Sequence, residues 1–406
     1  MKKILKIERI RTSWLKWLLS GLLLSLLAYL SFRVFRNCNY CWVIILLTVF
    51  TYFLLLGLKS QIATLKILFF NISAVFLALF FYECFLWLSD ISQENSKHVL
   101  LGNFEWTKHP YLGYGPKNNG IFTSKKTVDK EKIYDVSYTI KDGLRYTPNS
   151  NEKSQKCVLF FGCSITFGSG LADTSTLPFF FNQYAKHRFK IFNYGFGGYG
   201  PHQMLANIES RVAGDIQSYN NEKIAIYSFI PFHIGRAAGF STWDQHGPRY
   251  EIIEGRLRKV GSFTNLPRRI TGRLSRSYIY RRLFFERKPR HYDVMRTIEI
   301  IKKSNVLLLK QHVILYVFVW DNPRAIENAF QNQNDYYFFL DKMKKNNIKT
   351  FFLHDLITNY NEKDNTYSLP HDGHPNALAN KKIANYIYLQ LNDIKTKVKE
   401  KQQWNF

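Results

Sequence analysis

Three apolar runs near the amino terminus limit this chain more than any other feature. Trp17–Phe32, Tyr40–Leu58 and Ile67–Leu88 carry no charge apart from Glu83, near the end of the third. A helix needs about 20 apolar residues to cross about 30 Å of hydrocarbon, and each run approaches that length. One such run could be a buried helix of a soluble domain; three in succession predict three membrane spans within residues 1–90. The first is not the pattern of a cleaved signal peptide, because it is long, no small-residue cleavage site follows it, and two more runs come after.

The flanking charges orient the spans. Lys2, Lys3, Lys6, Arg9, Arg11 and Lys16 precede the first run and Lys59 and Lys66 separate the second from the third, which places both stretches on the cytoplasmic side. Arg33 and Arg36, between the first and second runs, oppose this assignment. Three crossings put everything after about Ser89 on the periplasmic or extracellular side. Glu83 then lies near the outer interface, where a carboxylate can snorkel to water. Lysine and arginine exceed aspartate and glutamate by 56 to 30, a net charge of +26, which favours an anionic partner. The lipid bilayer is the first such partner. Much of the excess sits in an insertion at about 239–295, where Arg256–Arg290 holds twelve Lys or Arg against one acid, Glu286. A run of this kind forms a solvated face or meets anionic lipid headgroups. A nucleic acid does not fit a location outside the cytoplasm.

Beyond the membrane region the chain reads as one connector and one α/β domain. In residues 91–155, Pro110, Gly113, Gly115, Pro116 and Gly120 punctuate an otherwise polar stretch. Tyr134–Ile140 alternates like a half-buried strand, and the connector predicts a small β extension packed against the α/β domain. Residues 156–395 alternate apolar runs with helical ones. Val158–Phe161, Lys190–Asn193, Ile224–Ile230, Val313–Trp320 and Thr350–Leu353 read as strands. Ser175–Lys186, Pro201–Val212, Ala325–Asn346 and Asn376–Leu391 read as helices, and 396–406 as a polar tail. Apolar strands separated by helices predict a parallel sheet covered on both faces, a three-layer α/β/α sandwich. Cys157 and Cys163 are too far apart along an extended strand to pair, and read as packed thiols.

Chemistry-bearing residues stand at the carboxyl ends of these strands, where open α/β sheets place their ligands. The stretch VLFFGCSITFGSG, Val158–Gly170, puts Ser164 directly after the first strand. A serine hydroxyl is a poor nucleophile until a base takes its proton. PHDGHPN, Pro370–Asn376, offers His374 as that base and Asp372 to orient it. Two residues apart on an extended segment, those side chains share one side. The glycine-rich NYGFGGYG, Asn193–Gly200, can offer a bare backbone N–H to an oxyanion, with Gly198 as the candidate. Each piece alone has a plain structural reading; their joint occurrence in this order does not.

These residues resemble the SGNH/GDSL hydrolases. GCSITFG is similar to that family's first block, with Ser164 in the nucleophile position. NYGFGGYG is similar to its glycine block, with Gly198 in the oxyanion position. Asp372-Gly373-His374-Pro375-Asn376 is similar to its last block, with Asp372 and His374 completing the triad. The resemblance runs from about Cys157 to Leu391. It implies a flavodoxin-like sandwich, a Ser-His-Asp esterase mechanism with Ser164 and Gly198 as oxyanion donors, no metal and no cofactor. Three departures stand out. Cys163 replaces an aspartate, one residue rather than two separates Asp372 from His374, and no asparagine follows the third strand. There the chain reads Ser228-Phe229-Ile230-Pro231-Phe232-His233, and His233 stands in about the place of the missing donor. It either donates a ring N–H to the oxyanion or merely pairs with its loop.

The leading functional expectation is a membrane-anchored extracytoplasmic serine esterase. Its substrate would be an acyl ester, acetyl being one candidate, on an envelope glycan or lipid. The same triad would serve an O-acyltransferase acting on a cell-surface glycan. Three spans are too few for an acyl-donor channel, so that enzyme would need a membrane partner. A non-enzymatic reading, a tethered glycan-binding module, follows from the departures at Cys163 and His233.

Overall fold

The structure is a computed structural model and describes residues 41–93, 98–117, 119–264, 274, 277–285, 288–358, 360 and 365–403. The chain forms two compact units, Met1–Asn95 with Arg269–Arg287, and Ser96–Arg268 with Lys288–Phe406.

The first unit contains two helices long and apolar enough to cross a membrane, α1 (Cys41–Lys59) and α2 (Ala63–Gln93). They correspond to the second and third apolar runs; Trp17–Phe32 lies outside the described residues. Only 11% and 6% of their apolar stretches are buried within the protein. Phe53 of α1 stacks on Phe76 of α2 with ring centroids 6.0 Å apart. Glu83 does not snorkel. It is fully buried and accepts from the Ser277 hydroxyl (3.0 Å) and from the backbone N–H groups of Tyr278 (2.7 Å) and Ile279 (2.9 Å). A carboxylate on an apolar helix needs such donors once water is gone, and the basic insertion supplies them.

The second unit is built on a nine-stranded sheet. The connector gives β1 (His98–Gly102), β4 (Gly120–Val128), β5 (Glu131–Lys141) and β6 (Leu144–Arg145) to this sheet, and β2 (Thr107–His109) and β3 (Gly113–Gly115) as a separate two-stranded pair. Then β7 (Cys157–Phe161) leads into a four-residue helix, α3 (Ser164–Phe167), and on to α4 (Leu177–Tyr184). Next come β8 (Lys190–Asn193), α5 (Pro201–Asn207, continued by a π turn), β9 (Lys223–Phe229), α6 (His233–Ala237) and the hairpin β10 (Pro248–Ile253) and β11 (Arg256–Ser262). The chain ends with α7 (His291–Leu309), β12 (Val313–Val319), α8 (Pro323–Ala329), α9 (Gln333–Lys345), β13 (Lys349–Phe352) and α10 (Ala377–Gln403).

The sheet order is β1-β4-β5-β6-β8-β7-β9-β12-β13. The last five strands pair in parallel, and numbered among themselves they run 2-1-3-4-5, the flavodoxin-like order. In the central strands β7, β9 and β12, covered on both faces, burial runs almost without alternation. Leu159 and Phe161 of β7 enter a core with Met204, Ile208, Ile298 and Phe339, while Val158 and Phe160 enter a second core with Leu177, Phe181, Ile383 and Ile387.

Four expectations change here. The connector is more than a packed extension: Phe122 and Tyr138 pack on Phe167 and Phe196 of the domain, and β6, β5, β4 and β1 also continue the parallel sheet in antiparallel fashion through the single strand pairing of Arg145 with Asn193. Helix does not wait for Ser175, since α3 starts at Ser164 itself. The run Ala325–Asn346 is two helices, broken where Phe330 leaves helical backbone and the Asn332 side chain caps α9. Helix α7, within and beyond the basic insertion, is an addition to the expected elements, although Val294, Ile298 and Ile301 give it an apolar stripe buried in the first core.

Candidate active site

The topology brings together what the sequence spreads over 210 positions. The chain leaves β7 toward β8 on one side and returns to β9 on the other, so the carboxyl end of β7 is the switch point of the sheet. Ser164 stands there as the first residue of α3, with its backbone N–H outside the intrahelical ladder. The Ser164 hydroxyl donates to His374 Nε2 at 2.7 Å, and His374 Nδ1–H donates to Asp372.

The Asp–His segment is a turn, not an extended strand. His371 and Gly373 both have positive φ, 51° and 78°. Leu369 N–H donates to His374 O (2.7 Å), and Asp372 N–H (3.2 Å) and Gly373 N–H (3.4 Å) both donate to Leu369 O. Only glycine holds φ near 78° without strain, and that reversal lets one intervening residue do what a longer spacing would do elsewhere. Asn376 fastens the turn. Its Nδ2 donates to Thr366 O (3.0 Å), and its Oδ1 accepts from Ala379 N–H (3.1 Å) as the cap of α10.

Asp372 has a second partner that sequence reasoning missed. Lys126 Nζ donates to its other oxygen at 2.6 Å and to His371 O at 3.3 Å. Lys126 comes from β4, at a register shift in the β4–β5 pairing; such a bulge re-aims a side chain. Burial pushes the Asp372 carboxyl up, but the hydrogen bond and charge of His374, and then those of Lys126, outweigh it and hold its pKa at about 2. No signal in the polar connector could have singled out Lys126, since its meeting with Asp372 depends on the antiparallel extension of the sheet.

The glycine turn after β8 is tied to the nucleophile. Asn193 Nδ2 donates to Thr166 O in α3 (3.0 Å), and Asn193 Oδ1 accepts from Gly195 N–H (3.0 Å). Gly198 has φ of 77°, and a Cβ on it would stand 2.4 Å from Trp243 Nε1 and 2.7 Å from the Tyr114 hydroxyl. Both the backbone and the space therefore demand glycine there.

His233 opens α6 and is fully buried. The Tyr227 hydroxyl lies 2.7 Å from its Nδ1, and Ile230 N–H is directed at the same nitrogen (3.4 Å). That backbone donor makes Nδ1 the acceptor and places the proton on Nε2. Burial, followed by the charges of Arg236 and His202, holds the imidazole well below its usual pKa, so it is neutral. Nε2–H has no partner, and neither does Ser228 Oγ at the end of the same strand. Cys157 and Cys163 are buried free thiols, and burial pushes Cys157 up to about 12. Among the described residues no group of three His, Cys, Asp or Glu side chains is placed to hold a metal.

No family model and no curated protein matches the sequence. Among solved structures, the chain is similar to a member of the lipolytic protein G-D-S-L family from Veillonella parvula. That likeness has 11% identity and a TM-score of 0.35, and covers 58% of this chain and 97% of that one. It is also similar to a GDSL-like lipase from Bacteroides thetaiotaomicron, with 15% identity, 60% and 92% coverage and a TM-score of 0.33. A third similar structure is a carbohydrate acetylesterase family member from Sinorhizobium meliloti, with 11% identity, 57% and 94% coverage and a TM-score of 0.30.

Proposed function

We propose that this chain is a membrane-anchored serine esterase of the SGNH/GDSL type, its catalytic unit facing the periplasm or the cell exterior. The observation that carries this reading is the unbroken relay from the Ser164 hydroxyl through His374 to Asp372. In the reaction Ser164 Oγ attacks the acyl carbonyl while His374 Nε2 takes its proton, and Asp372 stabilises the imidazolium. The N–H groups of Ser164 and Gly198 receive the oxyanion, and the orphaned, buried Nε2–H of His233 is the candidate for a third donor in place of the family's asparagine. Collapse of the tetrahedral species returns the proton to the leaving alkoxide, which departs as the alcohol. Water, deprotonated by His374, then releases the acyl group as a carboxylic acid. Helices α1 and α2 support the anchoring.

The test is labelling of the full chain in detergent with a fluorophosphonate, which phosphonylates only an activated serine. The wild type should label, and Ser164→Ala and His374→Ala should not. Label retained by Ser164→Ala, or a folded wild type that takes none, would remove the esterase and leave a tethered binding module. In a labelled enzyme, transfer of the acyl group to a sugar hydroxyl in place of water would make it a transferase.

A further inference from the structure

Two tryptophans from two separate segments meet on the glycine turn beside the nucleophile. Trp106 comes from the stretch between β1 and β2, and Trp243 from the loop after α6. The Trp106 indole stacks on the Tyr114 ring, with centroids 4.7 Å apart and planes 12° apart, and packs on Phe196 at 5.8 Å. A Cβ on Gly197 would stand 3.5 Å from it. Trp243 Nε1 and the Tyr114 hydroxyl both close over Gly198, and that hydroxyl donates to Gly197 O at 3.0 Å. The residue after Trp243 locks the loop: Asp244, buried, accepts from Gln203 Nε2 (2.8 Å) and pairs with His202 Nε2 (2.7 Å), both in α5.

Both rings are thus held firmly from behind, yet each remains about half exposed, 47% for Trp106 and 49% for Trp243. Folding gains nothing by leaving that much indole in water. We infer that Trp106 and Trp243 form a shelf on which a pyranose ring of the substrate stacks beside the oxyanion position, so that the ester is borne by a carbohydrate. That the bound sugar is a substrate rests on the esterase reading. A sugar ring has an apolar C–H face and a polar rim, and it matches a flat indole face open to water along its edge. An acyl chain needs enclosure on all sides to gain fully from leaving water, which a half-open shelf does not give. The missing side chains of Gly197 and Gly198 let both rings sit close on the turn.

The experiment is titration calorimetry on the full-length Ser164→Ala chain in detergent, which cannot turn substrate over. The probes are partly O-acetylated cello-, xylo- and chito-oligosaccharides. At least one should bind, and adding Trp106→Ala or Trp243→Ala should weaken it roughly 3- to 10-fold. Phe at either position should restore most of the affinity, which separates stacking from a folding defect. Binding by none of the three sugars, or unchanged affinity in both alanine variants, overturns the shelf. Hydrolysis by the wild type is followed in parallel. Sugar binding without hydrolysis of any ester keeps the shelf and removes the esterase; hydrolysis of p-nitrophenyl acetate without sugar binding does the reverse.

Discussion

Asp372 shares its charge between an imidazole and an ammonium, and that arrangement has a pH signature. Its folded pKa of about 2 lies below the ordinary 3.8. Its contribution to stability is therefore present above pH 3.8 and lost as pH falls through 2. Lys126→Met should move the carboxyl pKa upward, read by carbon NMR of the labelled side chain. Lys126 acts through Asp372, as a positioning residue. Its loss should lower kcat roughly 10- to 100-fold through misplacement of His374, with KM little changed and Lys126→Arg recovering part of the rate. A pKa that does not move would make the 2.6 Å pair incidental. At His233, the buried N–H without a partner carries a cost of about 1–3 kcal/mol, tolerable where the transition state uses it. His233→Ala should cost about 100- to 1,000-fold in kcat while leaving fluorophosphonate labelling detectable. Unchanged turnover would reduce the residue to its pairing with Tyr227.

Two elements depend on single buried charges. Arg145 makes the only strand pairing between the antiparallel extension and the parallel strands among the described residues. Its guanidinium reaches Asp173 (2.8 Å) and Leu171 O (2.9 Å) and lies over the rings of Tyr138 (4.3 Å) and Phe167 (4.7 Å), the latter in α3. Arg145→Met would leave Asp173 without its cation and should cost about 3 kcal/mol, measured as a fall in the urea midpoint. Because β4 carries Lys126, a loosened joint should also lower activity before the domain unfolds. In the other unit, Glu83 holds the start of Tyr278–Phe285 through three hydrogen bonds. Arg281 and Arg282, next to that anchor, lie at the surface of the segment. Glu83→Ala should release the segment and speed tryptic cleavage there at least several-fold, a difference that mass spectrometry of the fragments would record.

At the scale of the whole molecule, the proposed topology makes one prediction: an enzymatic reporter fused after Phe406 should be active only outside the cytoplasm. Activity inside would reverse the orientation drawn from Lys2–Lys16 and turn the proposed substrate from an envelope ester into a cytoplasmic one. Much of the architecture was legible because it is written locally. The central strands β7, β9 and β12 are runs rich in β-branched and aromatic residues, and burial on both sheet faces leaves them almost continuously apolar. The motifs Gly162–Gly168 and Asp372–Asn376 are short, so the serine and the Asp–His pair could be picked out from local sequence. The sequence by itself thus determined the apolar spans, the parallel strands and the serine, histidine and aspartate at their ends. The tertiary structure decided what depends on pairing between distant segments. It placed Lys126 on Asp372 through a strand added antiparallel to the sheet, Trp106 and Trp243 on one glycine turn, Ser277–Ile279 on Glu83, and a left-handed Gly373 where an extended segment was expected. These contacts join residues whose individual types are ordinary in a polar connector or a basic loop. Their meeting is fixed by the cooperative packing of the whole core, which no local propensity encodes.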